Sequence, residues 1–536
     1  MKVDSRSRAP QFDAVVVGAG MAGLYAVHRL REDGLSVRAF ERGPKVGGTW
    51  YWNRYPGCRC DVESVLYSYK FSEELQQEWR WSSRYAGAGE IQAYLERVAD
   101  KFDLRRDIQL NSTVEAARFD EASGRWEVTV AGEKVWGRHL VMASGCLSRA
   151  VLPGIEGVED FGGAIFHTSD WPEEGVDLRG KRVGIIGTGS SGIQAAPLIA
   201  AEAEHLHVFQ RTPQFSIPAW NRPLGDDEYE QIRAGYADLR REAAAAIGGV
   251  PYEEPDHDAP TAPAHVVDGW LEQTWARGGY PMILSYPDIL TNDETSEIVG
   301  EWVKRRIRER IDDPAVAERL MPSYPFGAKR LCVDTEYFET FNRPNVTLVD
   351  LREEPIERIV ETGVETASGL VELDVLVLAT GFDALTGALL AIDPQGRGGL
   401  SLSEKWADGP AAVFGVMSSG FPNMFMVNGP GSVSVLYNMV ASIEQNVDWI
   451  ADAIAHVRTN GYDSIESTDE ADRGWARHVD EVAATTMFTR VESWYTGANG
   501  EGKAKSFLAY TGGGPAYFER MNDSAAAGYS GFALVP

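Results

Sequence analysis

Two glycine loops in this sequence are built to hold phosphate. Gly18-Ala19-Gly20-Met21-Ala22-Gly23 fits G-x-G-x-x-G directly after an apolar run, and Gly187-Thr188-Gly189-Ser190-Ser191-Gly192 repeats the pattern. In such a loop the first glycine permits a tight turn, the second lets backbone approach a pyrophosphate, and the third lets helix and strand pack closely. The helix that follows points its free N–H groups at the phosphate charge. What comes next differs between the two. Glu41 ends the strand after the first loop, where a carboxylate can accept hydrogen bonds from an adenosine ribose. The corresponding strand after the second loop ends in Phe209-Gln210-Arg211-Thr212, with a cation and no acid. A guanidinium at Arg211 matches a 2′-phosphate, which an acid would repel. Lys329 is a candidate second partner for that phosphate. This asymmetry predicts FAD at the first loop and NADPH at the second.

Each loop needs a strand before it and a helix after it. Residues 13–17 read as a strand, 22–31 as a helix and 36–40 as a second strand, and residues 183–186, 192–201 and 206–209 repeat that order. Further strands are expected at 126–130, 140–143 and 374–378. Residues 226–246 and 297–310 are charged and helix-favouring, with proline-rich breaks between Pro251 and Pro263. Residues 442–457 read as an amphipathic helix. The expected fold class is α/β, with two Rossmann-like dinucleotide-binding domains and a helical insertion in the second. The expected division gives an FAD-binding domain to 1–150 and 381–536, with a mobile loop near 487–505. The NADPH-binding domain takes 151–220, including a connecting segment at 151–180, and 326–380. The insertion takes 221–325.

Composition narrows the function further. A chain of 536 residues, 44% hydrophobic and 24% charged, is globular in character. Lys and Arg number 51 against 79 Asp and Glu, a formal net charge of −28. Such a surface repels nucleic acid and anionic lipid, so neither is expected as a partner. The four cysteines are too few for a disulfide-built fold, and Cys58-Arg59-Cys60 has neither zinc-site nor Cys-x-x-Cys spacing. No metal is expected. The N-terminal residues lack the apolar core of a signal peptide, and no apolar run approaches bilayer length. A cytoplasmic enzyme with no obligate protein partner is therefore expected.

Two longer motifs carry a family resemblance. Residues Phe161 to Pro172 match F-x-G-x-x-x-H-x-x-x-W-P just ahead of the second loop. Gly47-Gly48-Thr49-Trp50, then Tyr55-Pro56-Gly57, then Asp61 match G-G-x-W-x-x-x-x-[FY]-P-G-x-x-x-D. Both in this order resemble the type I Baeyer–Villiger monooxygenases. The resemblance spans essentially the whole chain. It is nearest to the phenylacetone and steroid monooxygenase branch at 187–194, 326–330 and 493–499. It implies that NADPH reduces FAD and that reduced flavin with O2 gives a C4a-peroxyflavin. That species attacks a ketone and yields an ester or lactone.

The resemblance also implies residue roles. Arg330 stands where the family keeps its active-site arginine, a fixed charge suited to steadying a peroxide or oxyanion. Asp61 matches the acid that orients it. Gly48 and Trp50 belong to the flavin-side motif. Thr380 and Gly381 resemble the late FAD-contacting turn of two-dinucleotide flavoproteins. Trp494 matches a mobile-loop tryptophan that reaches the nicotinamide cofactor. His167 is expected to support the connecting segment, with Trp171 as a packed anchor. Val433, Ser434, Val435, Leu436 and Tyr437 align with a loop that walls the substrate pocket. Three departures bear on substrate shape and loop closure: Val433 replaces a usual proline, Tyr437 a small serine-like residue, and Gly500-Glu501-Gly502 an Ile-Pro-Gly.

Other readings fit less of the sequence. A flavin-containing N- or S-oxygenase shares both loops but lacks the terminal Trp-Pro and the arginine of Lys329-Arg330. A disulfide reductase needs a cysteine pair that Cys58 and Cys60 do not form. A non-catalytic flavin module has no use for Arg211, Lys329 and Arg330 together.

Overall fold

The computed structural model describes residues 11–497 and 506–536. The first ten residues, read above for a leader, lie outside them, as do Ala498, Asn499 and Gly500-Glu501-Gly502 of the expected mobile loop.

Apolar, β-branched segments form the parallel centres of two sheets, as strands covered on both faces require, and the first sheet is mixed, with two antiparallel strands added from residues 114–130. In the first sheet the order is β3 (Ile108–Gln109), β2 (Val37–Phe40), β1 (Gln11–Val17), β6 (Glu133–Met142), β5 (Arg125–Val130) and β4 (Val114–Asp120). β17 (Met424–Met426) also joins β6, so a late segment of chain completes a sheet begun at the N-terminus. The second sheet runs β12 (Val346–Asp350), β9 (His205–Gln210), β8 (Arg182–Ile186), β16 (Val375–Leu378) and β7 (Ala164–His167), all parallel. β7 lies inside the segment read as a connector. At four residues flanked by glycines it is too short to announce itself. Smaller pieces are the pair β10 (Ser216–Pro218) with β11 (Cys332–Asp334), the meander β13 (Ile356–Val360), β14 (Gly363–Thr366) and β15 (Gly369–Glu372), and the pair β18 (Ser464–Ser467) with β19 (Phe532–Val535).

Helices Met21–Glu32 and Ser190–Glu202 follow the two glycine loops. Asp226–Ala245, Ala264–Arg277 and Asp293–Arg308 build the insertion. Met439–Thr459, one residue in from its Asn438 cap, packs along Met21–Glu32. The expected strand at 140–143 is the end of a longer one, because charged residues at Glu133 and Lys134 hid its start. Among the described residues no helix is long and apolar enough to cross a membrane.

β6 buries a titratable group that the fold never charges. His139 is 1% exposed, its Nδ1 has no hydrogen-bond partner, and burial pushes its imidazole down to about 3. The unfolded imidazole, near 6.5, binds a proton that the fold refuses until far lower pH. This residue therefore withdraws stability as pH falls from 6.5 toward 3, by up to about 1.4 kcal/mol per pH unit. His139→Gln should lose stability less steeply than the parent between pH 6 and 4 in denaturant melts. Parallel curves would remove the assignment.

Candidate active site

The first glycine loop forms one wall of a cavity of about 890 Å³, within the range of cofactor sites. Gly18, with φ +100°, makes the turn, and its carbonyl lies so near Gly23 that a methyl there would overlap it. Gly18, Gly20, Gly48, Trp50 and Glu41 all line the cavity. Glu41 is 5% exposed; its carboxylate accepts from the Ala19 N–H at 2.8 Å and the Gly43 N–H at 2.8 Å. The acid is thus locked against the phosphate-facing backbone, with lone pairs left for a ribose. A long cavity over a helix N-terminus, closed by a fixed carboxylate, fits FAD. Thr380 and Gly381 do not line it. Thr380 Oγ1 donates to the Val151 carbonyl at 2.6 Å and meets His167 Nε2 at 3.3 Å, while the adjoining Phe382 supplies the wall. His167, lowered in pKa by burial, braces this turn.

The second loop repeats the first. Gly187 has φ +109°, and Gly192 abuts its carbonyl as Gly23 abuts that of Gly18. Nothing lies within 4 Å of a methyl placed on Gly189, so backbone is open to a ligand there. Ser190 and Ser191 open the helix, and Ser190 Oγ lies 3.6 Å from Cys332 Sγ. Thr188 Oγ1 donates to the Thr212 carbonyl at 3.0 Å, tying the loop to the strand end beside Arg211. Arg211 is exposed and faces Lys329, although they lie far apart in sequence. Burial and Arg211 both lower the Lys329 pKa, and its ammonium donates to the Glu492 carbonyl at 2.9 Å. Two cations held together leave a place for an anion such as a 2′-phosphate.

Between the two loops lies the Arg330–Asp61 pair. Arg330 donates to Asp61 Oδ2 at 2.7 Å and to the Val435 carbonyl at 2.5 Å, and its guanidinium lies 5.2 Å from the Tyr280 ring centre. Burial opposes the charge, but Asp61, Tyr280 and Tyr495 together outweigh it and raise the arginine well above its usual value. Neither Arg330 nor Asp61 lines the cavity itself, but Tyr67 and Cys146, both in its wall, sense Asp61 and Arg330 respectively, so the pair lies behind that wall. Tyr495, fully buried, faces Arg330, and the half-buried Trp494 ring lies tilted against Tyr495 with ring centres 4.0 Å apart. In the expected substrate loop, Val433 and Ser434 are buried, and Leu436 ends a short turn. Tyr437 turns elsewhere. Its ring packs on Gly249, Gly514 and Phe518; none of Val433 to Tyr437 lines the cavity, and the loop meets the site through the Val435 carbonyl on Arg330. Cys58 and Cys60 are free and buried, with Cys58 pushed up to about 12 by burial, so they form no reactive pair. Among the described residues no cluster could hold a metal.

Sequence reasoning missed Gln194, which joins the two modules. It accepts from the Tyr55 hydroxyl at 2.8 Å and the Arg59 N–H at 3.4 Å, and donates to the Arg59 carbonyl at 3.2 Å. Gly57 lies against the carbonyl of the same residue. The segment Gln194 grips leads directly to Asp61. A helix glutamine carries no chemical signature, so only its neighbours identify it. Gln194→Leu leaves the Arg59 peptide unpaired and should cost about 2 kcal/mol. Gln194→Glu, still an acceptor, should cost less. Equal thermal midpoints for both variants and the parent would sink the bridge.

Known proteins resemble the chain over its length. A family described as "Pyridine nucleotide-disulphide oxidoreductase" matches residues 12–233. Acetone monooxygenase (methyl acetate-forming) of Gordonia sp. (strain TY-5) is 42% identical, over 97% of this chain and 99% of that protein. A Baeyer-Villiger monooxygenase of Pseudooceanicola batsensis is 40% identical, over 98% and 97%. A solved oxidized steroid monooxygenase bound to NADP superposes with a TM-score of 0.94 at 48% identity, covering 98% of this chain and 99% of that one. With both glycine loops, the paired Arg330 and Asp61 and this identity over nearly every residue, the chain belongs to the Baeyer–Villiger monooxygenase family.

Proposed function

We propose that this enzyme uses NADPH and FAD to insert one atom of O2 beside the carbonyl of a small-molecule ketone, giving an ester or lactone. The Arg330–Asp61 pair, behind the Tyr67 and Cys146 wall of the cavity, carries this reading. FAD, when bound, supplies electron transfer from NADPH and activation of O2. The protein's own residues do the rest. The first glycine loop and Glu41 hold the adenosine and pyrophosphate of FAD, with Gly48 and Trp50 beside them. The second loop, with Arg211, Thr212 and Lys329, holds NADPH, and Trp494 closes over it. Arg330 stabilises negative charge as it builds on oxygen, and Asp61 fixes the guanidinium and spreads its charge. Residues 1–150 and 381–536 form the FAD-binding body, 151–220 and 326–380 the NADPH-binding body, and 221–325 the insertion. Four free cysteines suit a reducing cytoplasm.

Arg330→Ala should keep bound FAD and its visible absorbance yet form ester at least about 100-fold more slowly, the scale of losing one charge-stabilising group. Ester formation at the parent rate would remove the assignment. In the parent, 18O2 should place one label in the product, and an amine oxidised in preference to every ketone in a panel would overturn the reaction class. Arg211→Ala should raise the NADPH KM about tenfold with little change in kcat. An unchanged KM would refute the phosphate role.

A further inference from the structure

We propose that Tyr437 is a wedge that fixes the substrate-wall loop against Arg330, and so sets which ketones fit. The proposal rests on the reading of Val433 to Tyr437 as that wall. The residue acts through the loop, as a positioning and specificity group, and not by touching substrate.

The slot that receives the ring comes from two distant segments. A methyl placed on Gly249 would fall 2.7 Å from Tyr437 Cζ, and one on Gly514 would fall 2.5 Å from Cδ2 and overlap Cε2. The ring therefore lies directly on two bare α-carbons. Phe518, one turn along the Gly514–Ala526 helix, closes the slot with its ring edge-on at 5.4 Å. Backbone bonds seal the junction: the Asn438 N–H donates to the Gly248 carbonyl at 2.9 Å, and the Gly514 N–H to the Ile247 carbonyl at 3.1 Å. Insertion, C-terminal helix and substrate loop thus meet at one side chain, which is 6% exposed.

That anchor has strain to hold. Ser434, three positions earlier, sits at φ +37°, a region that non-glycine residues occupy only when their surroundings force it. The next carbonyl, of Val435, accepts from Arg330 at 2.5 Å. A loop strained at Ser434 and pinned at Tyr437 presents Val435 at one fixed place. Without the ring, the slot empties, the strain at Ser434 relaxes, and the Val435 carbonyl moves off the guanidinium. The wall then yields to larger ketones.

Gly514→Ala makes the slot testable, because the methyl competes with the ring and Gly514 needs no left-handed backbone. Holoenzymes of the parent, Tyr437→Ser, Tyr437→Phe, Gly514→Ala and Tyr437→Ser/Gly514→Ala would be assayed on a small cyclic and a bulky aryl ketone. The readouts are the bulky-to-small ratio of kcat/KM and the ester formed per NADPH consumed. Tyr437→Ser should raise the ratio at least fivefold and lower the coupling; Tyr437→Phe should restore both. Gly514→Ala should act like Tyr437→Ser in the parent and add nothing to it in the double variant, in kinetics and in thermal midpoint alike. An unchanged ratio in Tyr437→Ser, or additive effects of the two substitutions, overturns the wedge. A parent that oxygenates no ketone overturns the function instead, and non-additive thermal midpoints would still decide whether the ring fills the slot.

Discussion

A charge removed from water must be paired, and the centre of this molecule is organised around one such charge. Arg330 is held by Asp61 on one side and the Val435 carbonyl on the other. Removing either leaves a half-buried guanidinium short of partners, where an unpaired charge is costly. The pair draws on widely separated stretches: Asp61 follows the first glycine loop, Arg330 follows the insertion, and Val435 precedes the helix Met439–Thr459. Both sheets and the insertion must be in register before the site exists. Gln194 supplies part of that register by gripping the Arg59 peptide just before Asp61.

Both glycine loops were legible because their signal is local. A strand, three glycines and a helix lie within some twenty residues, and the third glycine of each loop, Gly23 or Gly192, abuts the carbonyl of the first, five positions earlier. The charges that separate the two sites were legible for the same cause, since Glu41 and Arg211 end the very next strands. Arg330 and Asp61 were named only through family motifs. Nothing in their local sequence says that residues 269 positions apart lie 2.7 Å from each other.

What stayed hidden depended on direction or on partners. Tyr437 could be seen as bulky but not as pointing away from the cavity, because the glycines that receive it lie in two other segments. Tyr280 and Tyr495 carry no signature in their local sequence, yet both face the guanidinium. β7 was hidden by its length, and the helix Gly514–Ala526 by a start in glycine and proline. Thr380 was placed at the flavin by its motif. Its hydroxyl instead ties the turn to Val151, and Phe382 forms the wall, a difference of two positions that only coordinates resolve.

The formal charge of −28 sets a last constraint, because both cofactors are anions. Charges farther off than a Debye length, about 8–10 Å at cellular salt, contribute little. The local arrangement must therefore overcome the near part of an acidic surface. Helix N-termini at Met21 and Ser190 do so without net charge, by turning free N–H groups toward phosphate. Arg42 and Arg149 line the first cavity, and the second site has Arg211 and Lys329. Burial lowers the Lys329 pKa, and repulsion from Arg211 adds to it. A cofactor carrying a 2′-phosphate relieves that repulsion; one without leaves it standing. Two neighbouring cations and no acid at that strand end are the arrangement that suits a cofactor carrying a 2′-phosphate.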